Sequence, residues 1–407
     1  MNLKNKQVLV MGLGTQSGGE GVARYLAKNG ARVTVTDLKN EKELAATIKK
    51  LANLPIKYVL GQHRNVDFQT ADLVIKGPGV PDNSPFLKTA KKNQVPILGE
   101  INLFWRECPS KKIIGITGTK GKTTTAFLTE KILSYSEYPV VLGGNLGVSL
   151  LDILPQINEN TWVVLELSSW QLEGLKNEQS SPHISLITNI FPDHLNRYQN
   201  MTKYVAAKKL IFTYQKKNDY LILNQENSWT KKLQTEASGR VILFSTKSIP
   251  ATWRSVIKIP GEHSLANIAA AAQIGKLLNI KTDSIKRVLS SFSGLPHRLE
   301  FVKTVSGVDF YNDSAATNPT ASRMAIKSFN RPLVWILGGV DKNLSFSQLI
   351  KTAQKNPQLK ALVFLKGDAS QKIIAEAQKG LPNITKIKPF DNFSKAINAA
   401  YRLANKG

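Results

Sequence analysis

The sequence predicts an α/β protein of three domains in series, and three observations carry that reading. Apolar, β-branched runs alternate with amphipathic helical patterns along the chain. A glycine turn, Gly12-Leu13-Gly14-Thr15-Gln16-Ser17-Gly18-Gly19, follows the apolar run Gln7–Met11, as at the start of a Rossmann-like unit. A second glycine-rich turn, Gly-Ile-Thr-Gly-Thr-Lys-Gly-Lys-Thr-Thr-Thr at residues 115–125, follows Ile113 and Ile114.

In the first block the glycine turn leads to a helix over 21–28, then a β-branched strand over 32–36 that ends at Asp37. A helix over 41–51, strands over 58–60 and 73–76, a turn at 77–81, a helix over 85–93 and a short strand over 95–98 complete it. This gives a first domain over 1–109. The second, 110–297, carries the loop at 115–125, strands over 162–167, 184–189 and 220–224, and a helix over 266–278. The third, 298–407, alternates strands at 308–312, 333–337 and 362–365 with helices near 321–329, 347–355, 370–379 and 393–404. It reads as a Rossmann-like domain without its last strand.

With 407 residues, 42% of them apolar, the chain can build several cores. No apolar run reaches the roughly 18 residues of a membrane span, and residues 1–10 enter a strand where a signal peptide would begin. A cytoplasmic, membrane-free, monomeric protein is expected. The single cysteine, Cys108, has no partner for a disulfide or metal site and reads as structural. The net charge of +26 invites a nucleic-acid reading. The lysines are scattered over helical faces, with no arginine-rich arm or aromatic ladder, so no specific nucleic-acid partner is expected.

The loop at 115–125 carries the strongest chemical signal. Glycines let backbone N–H groups turn toward phosphate oxygens, Lys122 adds a mobile positive charge, and a Thr123 hydroxyl can hold the Mg²⁺ that accompanies ATP. Gly118, Thr119, Lys120, Gly121, Lys122, Thr123 and Thr124 are therefore candidate ATP contacts. The spacing departs from the common P-loop, which needs a glycine where Ile116 stands. Glu166, at the end of a nucleotide-sheet strand, offers a hard oxygen ligand for Mg²⁺. The pair Asp193-His194 follows the next strand and can orient a metal ligand or general base. Gly12-x-Gly14 with Asp37 also allows a dinucleotide reading, although the turn is one residue too long; a nucleoside diphosphate sugar fits it as well.

These segments, together with Asn189…Asp193-His194, Gly261-Glu262-His263…Asn267 and Pro296-His297-Arg298-Leu299-Glu300, resemble the ATP-dependent Mur ligases of peptidoglycan synthesis, in family order. Glu166-Leu-Ser-Ser-Trp-Gln-Leu-Glu173, Gly294-Leu-Pro-His-Arg-Leu-Glu300 and Asn312-Asp313-Ser314…Ala316-Thr317-Asn318 resemble the D-glutamate-adding branch. The resemblance implies a central P-loop ATPase-type domain. It implies that ATP activates the alanyl carboxylate of UDP-N-acetylmuramoyl-L-alanine as an acyl phosphate, which the amine of D-glutamate attacks.

It further implies catalytic roles for Lys122, Glu166, His194 and Lys208, with Thr123, Glu166, His194 and a carbamylated Lys208 holding Mg²⁺. Lys209, adjacent, is the alternative to Lys208. Asn267, Arg298 and Asp313 match nucleotide-contacting positions. Gly14, Thr15, Asp37, Lys39, Asn145, Ser168, Thr317 and Lys342 match substrate positions. The chain departs from the family pattern at Ala315, where the family has lysine, and at Ser264, where it has asparagine. A sister Mur ligase, a folylpolyglutamate synthase-like ligase, and a nucleotide-binding homologue without turnover are the alternatives.

Overall fold

The structure, a computed structural model, describes residues 1–15, 17–341 and 344–404. The chain divides into two compact units, one formed by Met1–Ile249 with Ala266–Val288 and the other by Pro250–Leu265 with Leu289–Gly407.

The first unit contains two parallel sheets. In one, the strands lie in the order Ile56–Leu60, Arg32–Asp37, Gln7–Met11, Leu73–Lys76, Ile97–Leu98. The chain reverses direction across the sheet at Gln7–Met11, so the crevice beyond that strand's carboxyl end is the natural ligand position. The other sheet runs Arg240–Phe244, Tyr220–Asn224, Ile184–Ile187, Ile113–Thr117, Trp162–Glu166, Val140–Gly144. Its switch strand is Ile113–Thr117, flanked by Ile184–Ile187 and Trp162–Glu166, and the glycine-rich loop leaves from its carboxyl end. These strands are buried along their whole length because both faces are covered by helices.

One apolar cluster runs from the first sheet (Val8, Val10, Val33, Val35) to the second (Val163, Leu165, Ile187, Leu221). The helix Glu100–Glu107 joins the two, burying Ile101, Leu103 and Phe104. Burying each such side chain stabilises the fold by about 1.5–3 kcal/mol.

In the second unit, Leu333–Leu337, Leu359–Leu365 and Thr385–Phe390 form a parallel sheet packed on helices Ser347–Gln354 and Asp368–Gly380. Val308–Asn312, expected in that alternation, instead pairs antiparallel with Glu300–Val305 as a separate hairpin.

Several bounds move. The helix expected over 21–28 begins at Ser17, so Gly18, Gly19 and Gly21 lie inside it. A Cβ on Gly19 would lie 2.3 Å from the Leu13 carbonyl oxygen, which explains that glycine as a close approach of helix and turn. The helix expected over 266–278 spans Glu262–Leu277. Strands Val140–Gly144 and Arg240–Phe244 and helices Asn65–Thr70 and Thr282–Ser291 had no clear sequence signal.

Candidate active site

The phosphate loop is the turn between strand Ile113–Thr117 and helix Lys122–Tyr135. Gly118 and Gly121 take φ of +151° and +84°, and their neighbours leave no room for a side chain. A Cβ at Gly118 would meet Thr188 Oγ1 at 1.9 Å, and one at Gly121 would meet Asn267 Oδ1 at 2.1 Å. The backbone can therefore approach a phosphate closely only with glycine at both positions.

The adjoining strand end holds the loop in shape. The Thr119 amide donates to the Asn189 carbonyl at 2.9 Å, and the Lys120 amide donates to Asn189 Oδ1 at 2.9 Å. Asn189 Nδ2 and Thr188 Oγ1 both donate to the Lys120 carbonyl, at 3.0 and 2.7 Å. Thr119 Oγ1 donates to the Phe191 carbonyl at 3.2 Å. Lys122 Nζ lies over the loop, 3.1 Å from the Gly118 carbonyl oxygen and 3.2 Å from that of Thr119.

Glu166 ends the neighbouring strand with its side chain buried, 2% exposed. Its Oε2 accepts from Thr123 Oγ1 at 2.7 Å, and its Oε1 accepts from Asn145 Nδ2 at 3.2 Å. The Asn145 amide also donates to the Glu166 carbonyl at 2.9 Å. Carboxylate, hydroxyl and side-chain amide thus meet at the start of the loop helix. Paired hard oxygens of this kind, beside a phosphate cradle, fit Mg²⁺.

Lys208 is 2% exposed, while Lys209 pairs with Glu236 on the outer face of the same helix, Met201–Lys209. Lys208 Nζ donates to the Gly118 carbonyl at 2.9 Å and sits 4.9 Å from the Tyr204 ring centroid. Burial first, and the nearby Lys122 charge second, hold its amine down to about 7. As an ammonium it would repel a metal; as the neutral amine it can take up CO₂ and become an oxygen donor.

His194 stands at a φ of +52°, its ring 6.3 Å from Tyr204 and 5.4 Å from Trp170. Tyr204 thus neighbours both His194 and Lys208. It carried no expectation, although its place four residues before Lys208 puts both on one helix face. Burial pushes the Asp193 carboxyl up, but Lys120, 3.4 Å away, and His194 outweigh it and hold the carboxyl below its ordinary range.

At the first sheet, Asp37 ties the glycine turn to the next strand: its Oδ2 accepts from the Gly14 amide at 3.0 Å and its Oδ1 from the Lys39 amide at 2.9 Å. Thr15 and Lys39 are exposed at the same strand ends. Ser168 caps helix Ser169–Glu178, its Oγ accepting from the Gln171 amide at 3.3 Å, so its hydroxyl is engaged in a helix cap. Asn267 is buried against Gly121.

In the second unit, two separately read segments come together. The Leu299 amide donates to Asp313 Oδ1 at 3.0 Å, and Asn312 Nδ2 lies 2.9 Å from His297 Nδ1. Burial raises the Asp313 carboxyl, against the lowering effects of the Leu299 amide and the Arg298 charge. Arg298, Ala315 and Thr317 are exposed beside them, and the Ala315 amide donates to the His297 carbonyl at 2.9 Å. Ser264 Oγ donates to the Pro260 carbonyl at 2.7 Å, a local role for the residue that departs from the family asparagine. Lys342 lies outside the described residues.

Known proteins resemble this chain along its whole length. Residues 6–99 match the Mur ligase MurD-like N-terminal domain, 116–258 the Mur ligase middle domain, and 297–407 the Mur ligase glutamate ligase domain. The chain is 39% identical over 436 residues to a protein of Roseiflexus sp. named UDP-N-acetylmuramoylalanine--D-glutamate ligase, covering 100% of this chain and 93% of that one. A protein of the same name from Clostridioides difficile is 35% identical over 428 residues, with coverages of 100% and 93%. Among solved structures, the UDP-N-acetylmuramate-alanine ligase of Thermotoga maritima superposes with a TM-score of 0.57 at 20% identity over 99% of both chains, a likeness of fold. The chain belongs to the Mur ligase family.

Proposed function

We infer that this protein is the ATP-dependent ligase that joins UDP-N-acetylmuramoyl-L-alanine to D-glutamate in peptidoglycan synthesis. The observation that carries the reading is full-length similarity to ligases of that name, in a chain whose phosphate loop, Thr123–Glu166 pair and buried Lys208 adjoin one another.

A carboxylate resists attack by an amine because its charge repels the nucleophile and oxide is a poor leaving group. Transfer of the γ-phosphoryl of ATP to the alanyl carboxylate makes an acyl phosphate. The D-glutamate amine then attacks the carbonyl carbon, loses a proton, and phosphate departs as the amide forms. Charge on phosphoryl oxygens builds throughout, so positioned donors dominate catalysis. Backbone amides at Gly121 and in the first turn of helix Lys122–Tyr135, with the Lys122 ammonium, would supply them. Mg²⁺ would be held by Thr123 and Glu166, with His194 and carbamylated Lys208 at a second position, and would neutralise phosphate charge. Asn267, Arg298 and Asp313 would be nucleotide contacts; the substrate positions would be Gly14, Thr15, Asp37, Lys39, Asn145, Ser168, Thr317 and Lys342.

We place the domain divisions at 1–109, 110–297 and 298–407, and read the protein as a cytoplasmic monomer; no helix among the described residues is long and apolar enough to cross a membrane. The reading is tested by phosphate release from ATP with UDP-N-acetylmuramoyl-L-alanine and, in turn, D-glutamate, L-glutamate, L-lysine, meso-diaminopimelate or no amine. Release and a matching product mass with D-glutamate alone is the expected result. Release with another amine, or none at all, sinks it.

A further inference from the structure

The glycine turn at 12–19 and the loop at 143–149 belong to different sheets, and Glu100 lies between them. Glu100 is the first residue of the helix Glu100–Glu107. Its Oε1 accepts from Ser149 Oγ at 2.5 Å and from the Leu150 amide at 2.9 Å. Its Oε2 faces the other way, 3.5 Å from where a Cβ on Gly18 would stand. A Cβ on Gly21 would lie 2.1 Å from Ser149, so the helix Ser17–Lys28 touches that serine directly.

Two further ties follow the same seam. Ser17 Oγ donates to the Gly147 carbonyl, and Arg24 Nη1 binds both carboxylate oxygens of Asp152 at 2.8 and 2.9 Å. The loop so held carries Asn145, whose other attachments are to Glu166.

A carboxylate is a costly way to make a purely structural contact, because burial disfavours its charge unless hydrogen bonds replace water. The surrounding charges do not offset that cost. Arg24 is engaged by Asp152 and Glu20, Lys50 by Glu20, and Arg106, on Glu100's own helix, by Glu178. Among the described residues no cation pairs with Glu100, and Asp152 faces it with like charge.

We propose that Glu100 is a positioning residue for the UDP-linked substrate: by holding Ser149 and the Leu150 amide it fixes the Asn145 loop against the glycine turn at Gly14. The proposal rests on the ligase reading, since the substrate that spans turn and loop is the one named there. Glu100 touches no reacting atom; it sets the distance between two groups that bind one molecule, so its effect falls on substrate affinity and spares the phosphate site.

Burial, opposed by the Ser149 and Leu150 bonds, raises the Glu100 carboxyl to about 7. Its charge-assisted bonds therefore weaken as pH falls from 8 to 6. Elsewhere in the first sheet, burial lowers the His63 imidazole, beside Thr36, below its ordinary value. Comparing wild type with Glu100→Gln cancels its contribution.

The test is calorimetric binding of UDP-N-acetylmuramoyl-L-alanine at pH 6, 7 and 8, with steady-state kinetics alongside. Glu100→Ala is expected to raise Kd about tenfold while leaving the KM for ATP within about twofold. Glu100→Gln, which keeps an acceptor oxygen without the charge, should bind at every pH as wild type does at pH 6, without the wild-type pH dependence. Unchanged affinity in folded Glu100→Ala overturns the proposal, as does a loss confined to kcat or a wild-type pH slope in Glu100→Gln. If Glu100→Ala does not fold, the Glu100→Gln slope and a smaller affinity loss in Ser149→Ala decide the matter. Failure of wild type to bind the substrate would strike the ligase reading instead. Hydrogen exchange at residues 144–150 then judges the tie: faster exchange in Glu100→Ala supports it, and unchanged exchange ends it.

Discussion

Thr123 Oγ1 donates a 2.7 Å hydrogen bond to Glu166 Oε2, joining the first turn of the phosphate-loop helix to the end of the neighbouring strand. The bond sets a hydroxyl and a carboxylate side by side, oxygens of the kind a divalent cation takes. Thr123→Ala removes one oxygen and one donor while leaving Glu166 held by Asn145. We expect kcat to fall by about 10²-fold and the Mg²⁺ concentration for half-maximal rate to rise, with the urea midpoint almost unchanged because the lost bond is worth about 1 kcal/mol. Wild-type Mg²⁺ dependence in the variant would remove Thr123 from the metal site.

Lys208 gives the site a pH signature. Its amine titrates near about 7 in the fold against 10.5 in the unfolded chain. Below 7 both states hold the proton and the fold carries the cost of a buried charge. Between 7 and 10.5 only the unfolded chain holds it, so the fold gains stability as pH rises through that window. Lys208→Met should flatten this rise and increase the melting temperature at pH 6, while abolishing ligation. Lys208→Ala should be inactive but partly rescued by short carboxylates, which replace the carbamate oxygens. A melting curve for Lys208→Met that keeps the wild-type pH slope would show that the amine is not the group responsible.

How much of this was readable depended on whether the residues are contiguous. The phosphate cradle is one unbroken segment ending in Gly121-Lys122-Thr123, and its chemistry follows from residue type alone. Lys208 was preferred to Lys209 on the resemblance alone, because the choice depends on which face of helix Met201–Lys209 meets the loop, and its buried residues include Tyr204 and Lys208 itself. Glu100 was missed because its helix follows Gly99, with no Ser, Thr, Asp or Asn cap to announce it. Strand Arg240–Phe244 was missed because as a sheet edge it keeps Val241 and Leu243 partly exposed and borders polar residues. Strand Glu300–Val305 begins inside a signature segment and carries Lys303, so nothing in its pattern suggested a hairpin.

Asp313 is raised by burial yet accepts the Leu299 amide at 3.0 Å. Because the folded state favours its protonated form, this group's contribution to stability is full in acid and lost as pH rises through its folded value. Asp313→Asn keeps an acceptor and removes the buried charge, so its urea midpoint at pH 8 should equal or exceed wild type. Asp313→Ala leaves the Leu299 amide without that acceptor and should cost about 1–2 kcal/mol. A midpoint for Asp313→Asn as low as that of Asp313→Ala would show that the charge itself holds the His297–Leu299 turn.

Gly121 separates two costs that a substitution usually combines. Gly121→Ala imposes a φ of +84° on a residue with a Cβ and drives that Cβ to 2.1 Å from Asn267 Oδ1. The backbone term is about 1 kcal/mol, and the clash adds a further 1–3 kcal/mol unless Asn267 moves. Asn267→Ala clears the clash without touching the backbone. The double variant should therefore recover part of the stability lost in Gly121→Ala, with a coupling energy of about 1–2 kcal/mol in a double-mutant cycle. ATP affinity should stay low in both, since the loop amides remain displaced and Asn267 is gone from its place beside the loop. Additive stabilities would mean that Asn267 swings away freely; recovered ATP binding in the double variant would mean that the loop amides tolerate the Cβ and that Asn267 makes no contact with the nucleotide.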